Sequence, residues 1–126
     1  MITVLIVDDS RVTRNIVKNT FLELNIPCQF VEAVNGKEAL KALTEQKIGL
    51  VLLDWNMPEL SGLDFLQTVR AIEVYKDLPI IMVTSVSSRF NVLEALKSGA
   101  TDYIVKPVSE RQFKEKMKKL QLEQSE

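Results

Sequence analysis

The chain alternates short apolar runs with amphipathic stretches, and most of the apolar runs end on a polar group. Ile2-Thr3-Val4-Leu5-Ile6-Val7 is β-branched and almost wholly apolar, which predicts a buried strand, and it breaks at Asp8-Asp9-Ser10. Val12, Ile16, Val17, Phe21 and Leu24 then fall mostly at helical spacing, and Asn25 and Pro27 mark the end of that helix. Cys28-Gln29-Phe30-Val31-Glu32 alternates, as a less completely buried strand near a sheet edge does. Asn35-Gly36-Lys37-Glu38 is a capping-box pattern that opens a second helix through Ala39, Leu40 and Leu43.

The aliphatic run Leu50-Val51-Leu52-Leu53, bounded by Gly49 and by the turn-forming Met57-Pro58, reads as a fully buried central strand that delivers Asp54 to its mouth. Ser61 to Asp64 is a weaker cap for a third helix, with Leu63, Leu66, Val69 and Ile72 on one face. Leu78 to Val83 is a fourth buried strand, whose Pro79 is tolerable at a strand's start, and it ends at Thr84-Ser85. Phe90, Leu93 and Leu96 place a fourth helix, stopped by Ser98-Gly99. Thr101 to Val105 is a short fifth strand ending at Lys106-Pro107. A last helix, capped at Ser109, carries Phe113, Met117 and Leu120 at i, i+4 and i+7, and the polar tail 121–126 is expected to fray.

Strands alternating with helices through short loops predict an α/β fold: a doubly wound, five-stranded parallel sheet with five helices on its two faces, reached by right-handed crossovers. No linker, repeat or low-complexity tract interrupts residues 1–126, so one domain without an output module is expected.

Composition narrows the chemistry. Sixteen basic against seventeen acidic residues leave a net charge of −1, which argues against a nucleic-acid partner bound by phosphate neutralisation. The absence of histidine excludes His-based acid/base chemistry, His-activated nucleophiles and His-ligated zinc. The single Cys28 forms no internal disulfide and suits a reducing cytosol. The N-terminal apolar run stops at Asp8, too short for a signal peptide or a membrane span, so a soluble cytoplasmic protein is expected.

In open parallel sheets ligands bind beyond the carboxyl ends of the strands, so the polar residues just after each apolar run are the candidates. They are Asp8 and Asp9, Asp54, Thr84, and Lys106. Singly, each has a plainer reading: a helix cap for Asp8-Asp9-Ser10 or for Asp54, a strand-end hydroxyl for Thr84, a turn for Lys106-Pro107. Jointly they form a chemical kit. Clustered carboxylates repel unless a divalent cation neutralises them, and all-oxygen ligation favours a hard ion, Mg²⁺ above others. A carboxylate can attack phosphorus, and a metal and an ammonium can stabilise the charge on the group in transit.

Val7-Asp8-Asp9-Ser10, Asp54-Trp55-Asn56-Met57-Pro58, Val83-Thr84-Ser85 and Tyr103-Ile104-Val105-Lys106-Pro107 together resemble two-component response-regulator receiver domains, over essentially the whole chain, and stand-alone chemotaxis regulators in particular. The resemblance implies strand order 2-1-3-4-5 in a flavodoxin-like sheet. It implies that Asp54 accepts phosphoryl from a histidine kinase, and that Mg²⁺ is held by Asp8, Asp9, Asp54 and the backbone carbonyl of Asn56. Thr84 and Lys106 would contact the phosphoryl group, the Lys106–Pro107 bond would be cis, and Thr84 with Tyr103 would form the switch. The partner surface would lie on the fourth helix, fifth strand and fifth helix, with Arg89, Val92, Lys97, Tyr103, Lys116 and Lys119. Val86 takes the position expected to tune dephosphorylation.

Several functions remain distinct at this point. The leading one is a phosphorylation-switched protein, a monomer, that binds a flagellar motor switch protein, with a phosphatase as a further partner. The alternative is a phosphorelay intermediary that passes phosphoryl between His-containing proteins. A Mg²⁺-dependent phosphatase fits less well, because Asn56 stands where such enzymes carry a second Asp. A flavin carrier would need an anion-cradling first loop, which Asp8-Asp9 is not. The chain is therefore expected to catalyse only its own phosphorylation and dephosphorylation.

Overall fold

A computed structural model describes residues 1–55, 60–85, 89–106 and 108–120, with Thr84, Arg89 and Phe90 described for their backbone alone. Five parallel strands, β1 (Ile2–Val7), β2 (Cys28–Ala33), β3 (Leu50–Leu53), β4 (Ile80–Thr84) and β5 (Asp102–Val105), pair in the order β2-β1-β3-β4-β5. Between and after them run α1 (Arg11–Glu23), α2 (Gly36–Glu45), α3 (Gly62–Arg70), α4 (Arg89–Lys97) and α5 (Glu110–Leu120). The doubly wound α/β fold and the strand order are as expected.

The two-residue period of a strand divides the core into two layers. Val4 and Ile6, Leu50 and Leu52, Ile81 and Val83, and Ile104 pack with Val17 and Phe21 of α1 and with Phe113 and Met117 of α5. Phe21 and Phe113 meet edge to face there, their ring centres 5.0 Å apart. The alternate residues Leu5, Val7, Val51, Leu53, Ile80, Met82 and Tyr103 pack with Leu43 of α2, Phe65, Leu66 and Val69 of α3, and Ala95 of α4. Every residue of β3 is buried because both its faces are covered. Each such side chain stabilises the fold by about 1.5–3 kcal/mol.

The helices stop where their sequences expect. Asn25, with φ 58°, and Gly99, with φ 110°, take the left-handed conformation just past α1 and α4. In each case the next N–H reaches back five residues, Ile26 to the Phe21 carbonyl and Ala100 to that of Ala95. Asn35, Ser61 and Ser109 each accept from the backbone N–H three residues on.

Three apolar faces differ from the expected ones. On α1, Val17, Thr20, Phe21 and Leu24 turn inward, and at 100° per residue Val12 and Ile16 fall off that stripe, 69% and 45% exposed. Ile72 lies past the end of α3 and is exposed. On α4 the inward positions are Val92 and Ala95, leaving Leu93 and Leu96 exposed. Ala95 is fully buried, and the bond to its carbonyl from the Ala100 N–H leads the chain into β5. β4 starts at Ile80, not Leu78, and continues through Thr84. The tail 121–126 lies outside the described residues.

Register sets the level at which each strand releases its polar residue. Val7 pairs with Leu53, so Asp8 and Asp54 leave the sheet side by side, and the Asp54 N–H donates to the Val7 carbonyl at 2.9 Å. Met82 pairs with Leu53 and Thr84 with Val105, so β4 and β5 run on past that level before Lys106. The chain reverses its direction of progress across the sheet between β1 and β3, the switch point where ligands bind in open parallel sheets, the resembled family among the known examples.

Candidate functional site

At that switch point Asp8, Asp9 and Asp54 each offer a carboxylate oxygen, all within 4.8 Å of one another. Asp8 and Asp54 are buried, 3% and 7% exposed, while Asp9 is open to solvent. Asp8 is held from several sides: its N–H donates to the Ala33 carbonyl at 3.0 Å, and its Oδ1 accepts from the Ser10 N–H at 2.8 Å. Asp54 Oδ1 accepts from the Trp55 N–H at 2.8 Å.

Lys106 crosses to both carboxylates from the far edge of the sheet. Its ammonium donates to Asp8 Oδ2 at 2.9 Å and stands 3.7 Å from Asp54 Oδ1. Three clustered carboxylates repel one another, and a divalent ion would relieve that repulsion alongside Lys106. The donor set suits a hard ion: oxygen alone, with two buried carboxylates and one exposed. Asp8, Asp9 and Asp54 are the residues that would hold it. Beside the cluster a groove of about 380 Å³ opens between Thr13, Ile16, Lys106 and Val108.

Tyr103 is 7% exposed, packed in the layer with Met82 and Ala95. Its hydroxyl is buried and has no hydrogen-bond partner among the described residues. Burial, and then the charge of Asp54, push its phenol above the ordinary tyrosine range. Asn56, Val86 and Pro107 lie outside the described residues, as do the side chains of Thr84 and Arg89. The backbone of Thr84 closes β4 beside Val105.

The residues assigned to a partner surface flank β5 at the sheet's edge, and they are not equally available. Lys97 and Lys119 are exposed. Val92 is half-buried against the core, and Lys116 is half-buried with its ammonium 2.8 Å from Asp102 Oδ1. A partner surface needs exposed residues, and these two depart from that: Val92 sits on the inward stripe of α4, and Asp102 holds Lys116 against β5.

Two residues with a bearing on the site escaped the reading by strand ends. Gly62 donates its N–H to the Trp55 carbonyl at 2.9 Å, and a Cβ there would run into the Asp54 carbonyl oxygen. In sequence it is only the second residue of a cap. Arg14 donates from Nη1 to the Asp8 carbonyl at 2.7 Å. Its one signal was a basic residue on a helix that follows paired acids.

Comparison with known proteins agrees with this geometry. Residues 4–118 match the family described as the response regulator receiver domain. A Campylobacter jejuni protein, "Chemotaxis protein CheY homolog", is 44% identical over 114 residues, which span 90% of this chain and 87% of the relative. Among solved structures, the chemotaxis response regulator CheY4 of Vibrio cholerae superposes with a TM-score of 0.85 at 31% identity, covering 95% of this chain and 98% of that one. The Mn²⁺-bound form of response regulator Rcp1 shares the fold, with a TM-score of 0.84 at 20% identity over the whole of this chain and 98% of its own. Among the described residues no helix is long and apolar enough to cross a membrane.

Proposed function

The chain belongs to the response regulator receiver domain family, and on that premise we propose that it is a phosphorylation-switched binding protein of chemotaxis in the cytoplasm. Asp54 takes a phosphoryl group from a histidine kinase, and the α4–β5–α5 edge then binds a flagellar motor switch protein. The observation that carries this reading is the meeting of the Asp8, Asp9 and Asp54 carboxylates with Lys106 at the switch point of the sheet.

The chemistry follows from the residues. A lone pair of an Asp54 carboxylate oxygen attacks phosphorus. The P–N bond of the donor phosphohistidine breaks, its electron pair stays on the imidazole nitrogen, and that nitrogen takes up a proton from solvent. The product is an acyl phosphate on Asp54. The Trp55 N–H holds the Asp54 carboxylate at Oδ1, and the Gly62 N–H fixes the Trp55 carbonyl beside it, so little rearrangement is needed before attack. Lys106 would supply positive charge to the phosphoryl oxygens, and a hydroxyl at the end of β4, that of Thr84, would donate to one of them. Mg²⁺, held by Asp8, Asp9 and Asp54 with the Asn56 carbonyl, would neutralise the carboxylates and the charge on the phosphoryl group when bound. The similar fold of an Mn²⁺-bound regulator supports a divalent ion here.

Tyr103 supports the switch because it lies on β5, the edge strand that ends in Lys106, with its hydroxyl buried and without a hydrogen-bond partner among the described residues. On this reading the protein acts as a monomer and catalyses only its own phosphorylation and dephosphorylation, the latter assisted by a partner phosphatase.

The test is labelling with radioactive acetyl phosphate and Mg²⁺, followed by binding to a motor switch peptide. A hydroxylamine-labile label that is lost in Asp54→Asn, with binding that depends on it, supports the reading. Label without peptide binding, and passed on to a histidine phosphotransfer protein, would replace it with a phosphorelay role. Binding indifferent to Asp54→Asn would refute the switch.

A further inference from the structure

We propose that Arg14 is a positioning residue for the metal centre, acting on Asp9 through the peptide that joins it to Asp8. The inference rests on the divalent-ion reading of the acidic cluster.

Arg14 sits on the first turns of α1 with only 12% of its side chain exposed. Its guanidinium is bonded along two edges: Nη1 donates to the Asp8 carbonyl at 2.7 Å, and Nε donates to Glu32 Oε1 at 2.7 Å. Glu32, on the edge strand β2, also accepts from Lys18 at 2.9 Å. The planar guanidinium is therefore held in one orientation by β2 while it grips a carbonyl at the exit of β1.

That carbonyl is the one that matters for Asp9. Asp8 needs no help from it, because its N–H, Oδ1 and Oδ2 are bonded to Ala33, Ser10 and Lys106. Asp9 is exposed and has no hydrogen bond or ion pair of its own among the described residues. Its carboxylate reaches the cluster only because the backbone aims it there. The Asp8 carbonyl belongs to the planar Asp8–Asp9 peptide, so fixing its direction fixes the placing of the Asp9 Cα. Arg14 thus does for an exposed acid what direct hydrogen bonds do for the buried ones.

The experiment titrates Mg²⁺ into the whole chain and follows the fluorescence of Trp55, the sole tryptophan, next to Asp54. Arg14→Ala is expected to raise the Mg²⁺ dissociation constant about 10-fold, the loss typical of removing an outer-shell partner. At saturating Mg²⁺ its labelling rate with acetyl phosphate returns to the wild-type value. Arg14→Lys, which keeps the charge but not the fork, falls between the two. Lys18→Ala removes the other arm on Glu32, so it loses stability of a similar kind while its Mg²⁺ constant stays unchanged. An Arg14→Ala protein, or Arg14→Lys if the alanine variant does not fold, that binds Mg²⁺ as tightly as wild type overturns the proposal. Tighter binding overturns it too, since the guanidinium would then act only as a repelling charge. A wild-type protein without any Mg²⁺ response removes the divalent-ion reading itself, and this role with it.

Discussion

Lys106 donates to Oδ2 of Asp8 at 2.9 Å across 98 positions of sequence, so the exits of the last and first strands are tied by one ion pair. The same ammonium lies 3.7 Å from Asp54, and without it the carboxylates face one another. Lys106→Met is expected to cost about 2 kcal/mol of stability in metal-free buffer. Added Mg²⁺ should restore most of that loss and bind more tightly than to wild type, because no ammonium competes for Asp8. Urea titrations with and without Mg²⁺ decide the matter: an equal loss in both would mean that the pair is merely structural.

Tyr103 carries a buried hydroxyl with no partner among the described residues. An uncompensated buried hydroxyl opposes folding, so Tyr103→Phe should stabilise the unphosphorylated protein by about 1 kcal/mol. The ring's pKa in the folded chain is raised by burial and then by Asp54. Above the ordinary value of 10.0 the unfolded tyrosine ionises first, so wild type loses stability as pH climbs past that point. Tyr103→Phe should lack this part of the alkaline loss. Urea midpoints at neutral and alkaline pH test both statements, and a destabilised phenylalanine variant would contradict the first.

Two glycine substitutions should behave differently despite being identical in kind. At Gly62 an added Cβ meets the Asp54 carbonyl oxygen, backbone that cannot move without shifting Asp54. Gly62→Ala should cost about 3 kcal/mol and abolish labelling of Asp54. At Gly36 the nearest atom is Leu60 Cβ at 2.7 Å, which only a shift of the Leu60 backbone can relieve, but no atom of Asp54 is among the contacts. Gly36→Ala should therefore cost about 1–2 kcal/mol of stability yet label normally. Thermal melts and labelling of both proteins give the comparison.

The strand-end residues were legible because a parallel sheet delivers its polar exits to one end, and Asp8, Asp54 and Lys106 needed only that rule. The central strands were legible because β3 is apolar at every position. Helix faces were less so. Leu93 and Leu96 are the larger apolar residues and read as the buried stripe in sequence, yet among the described residues it is Val92 and Ala95 that face the core. Arg14 and Gly62 were hidden for a different reason: Arg14 donates to the main-chain oxygen of Asp8, Gly62 leaves room for that of Asp54, and sequence carries no mark of which carbonyl a residue will meet.

Glu32 accepts from both Lys18 and Arg14, and those hydrogen bonds hold its carboxyl below the ordinary value of 4.5. A depressed carboxyl stabilises the fold above its unfolded pKa and loses that contribution as pH falls through the folded one. Wild type should therefore exceed Glu32→Gln in stability above 4.5, and the gap should close in more acidic buffer. With 35% of the Glu32 side chain exposed, screening keeps the gap to about 0.5 kcal/mol, smaller in high salt. Denaturation from pH 7 to pH 3 at two salt concentrations measures it, and a gap that widened in acid would reverse the sign of the argument.

The exposed Leu93 and the half-buried Val92 separate stability from recognition on α4. Val92 packs against the core, so Val92→Ala should lower stability by about 1 kcal/mol through lost burial. Leu93 is 52% exposed, and Leu93→Ala should change stability by less than about 0.5 kcal/mol. If the phosphorylated α4–β5–α5 edge binds a partner, the ranking inverts for affinity. An exposed leucine beside Leu96 and Lys97 offers apolar area that a bound segment can cover, whereas Val92 is already covered from within. Leu93→Ala should therefore weaken binding of a motor switch peptide to the phosphorylated protein while leaving its melting temperature in place. Peptide affinity that followed the loss of stability in Val92→Ala, and ignored Leu93→Ala, would place the partner elsewhere on the molecule.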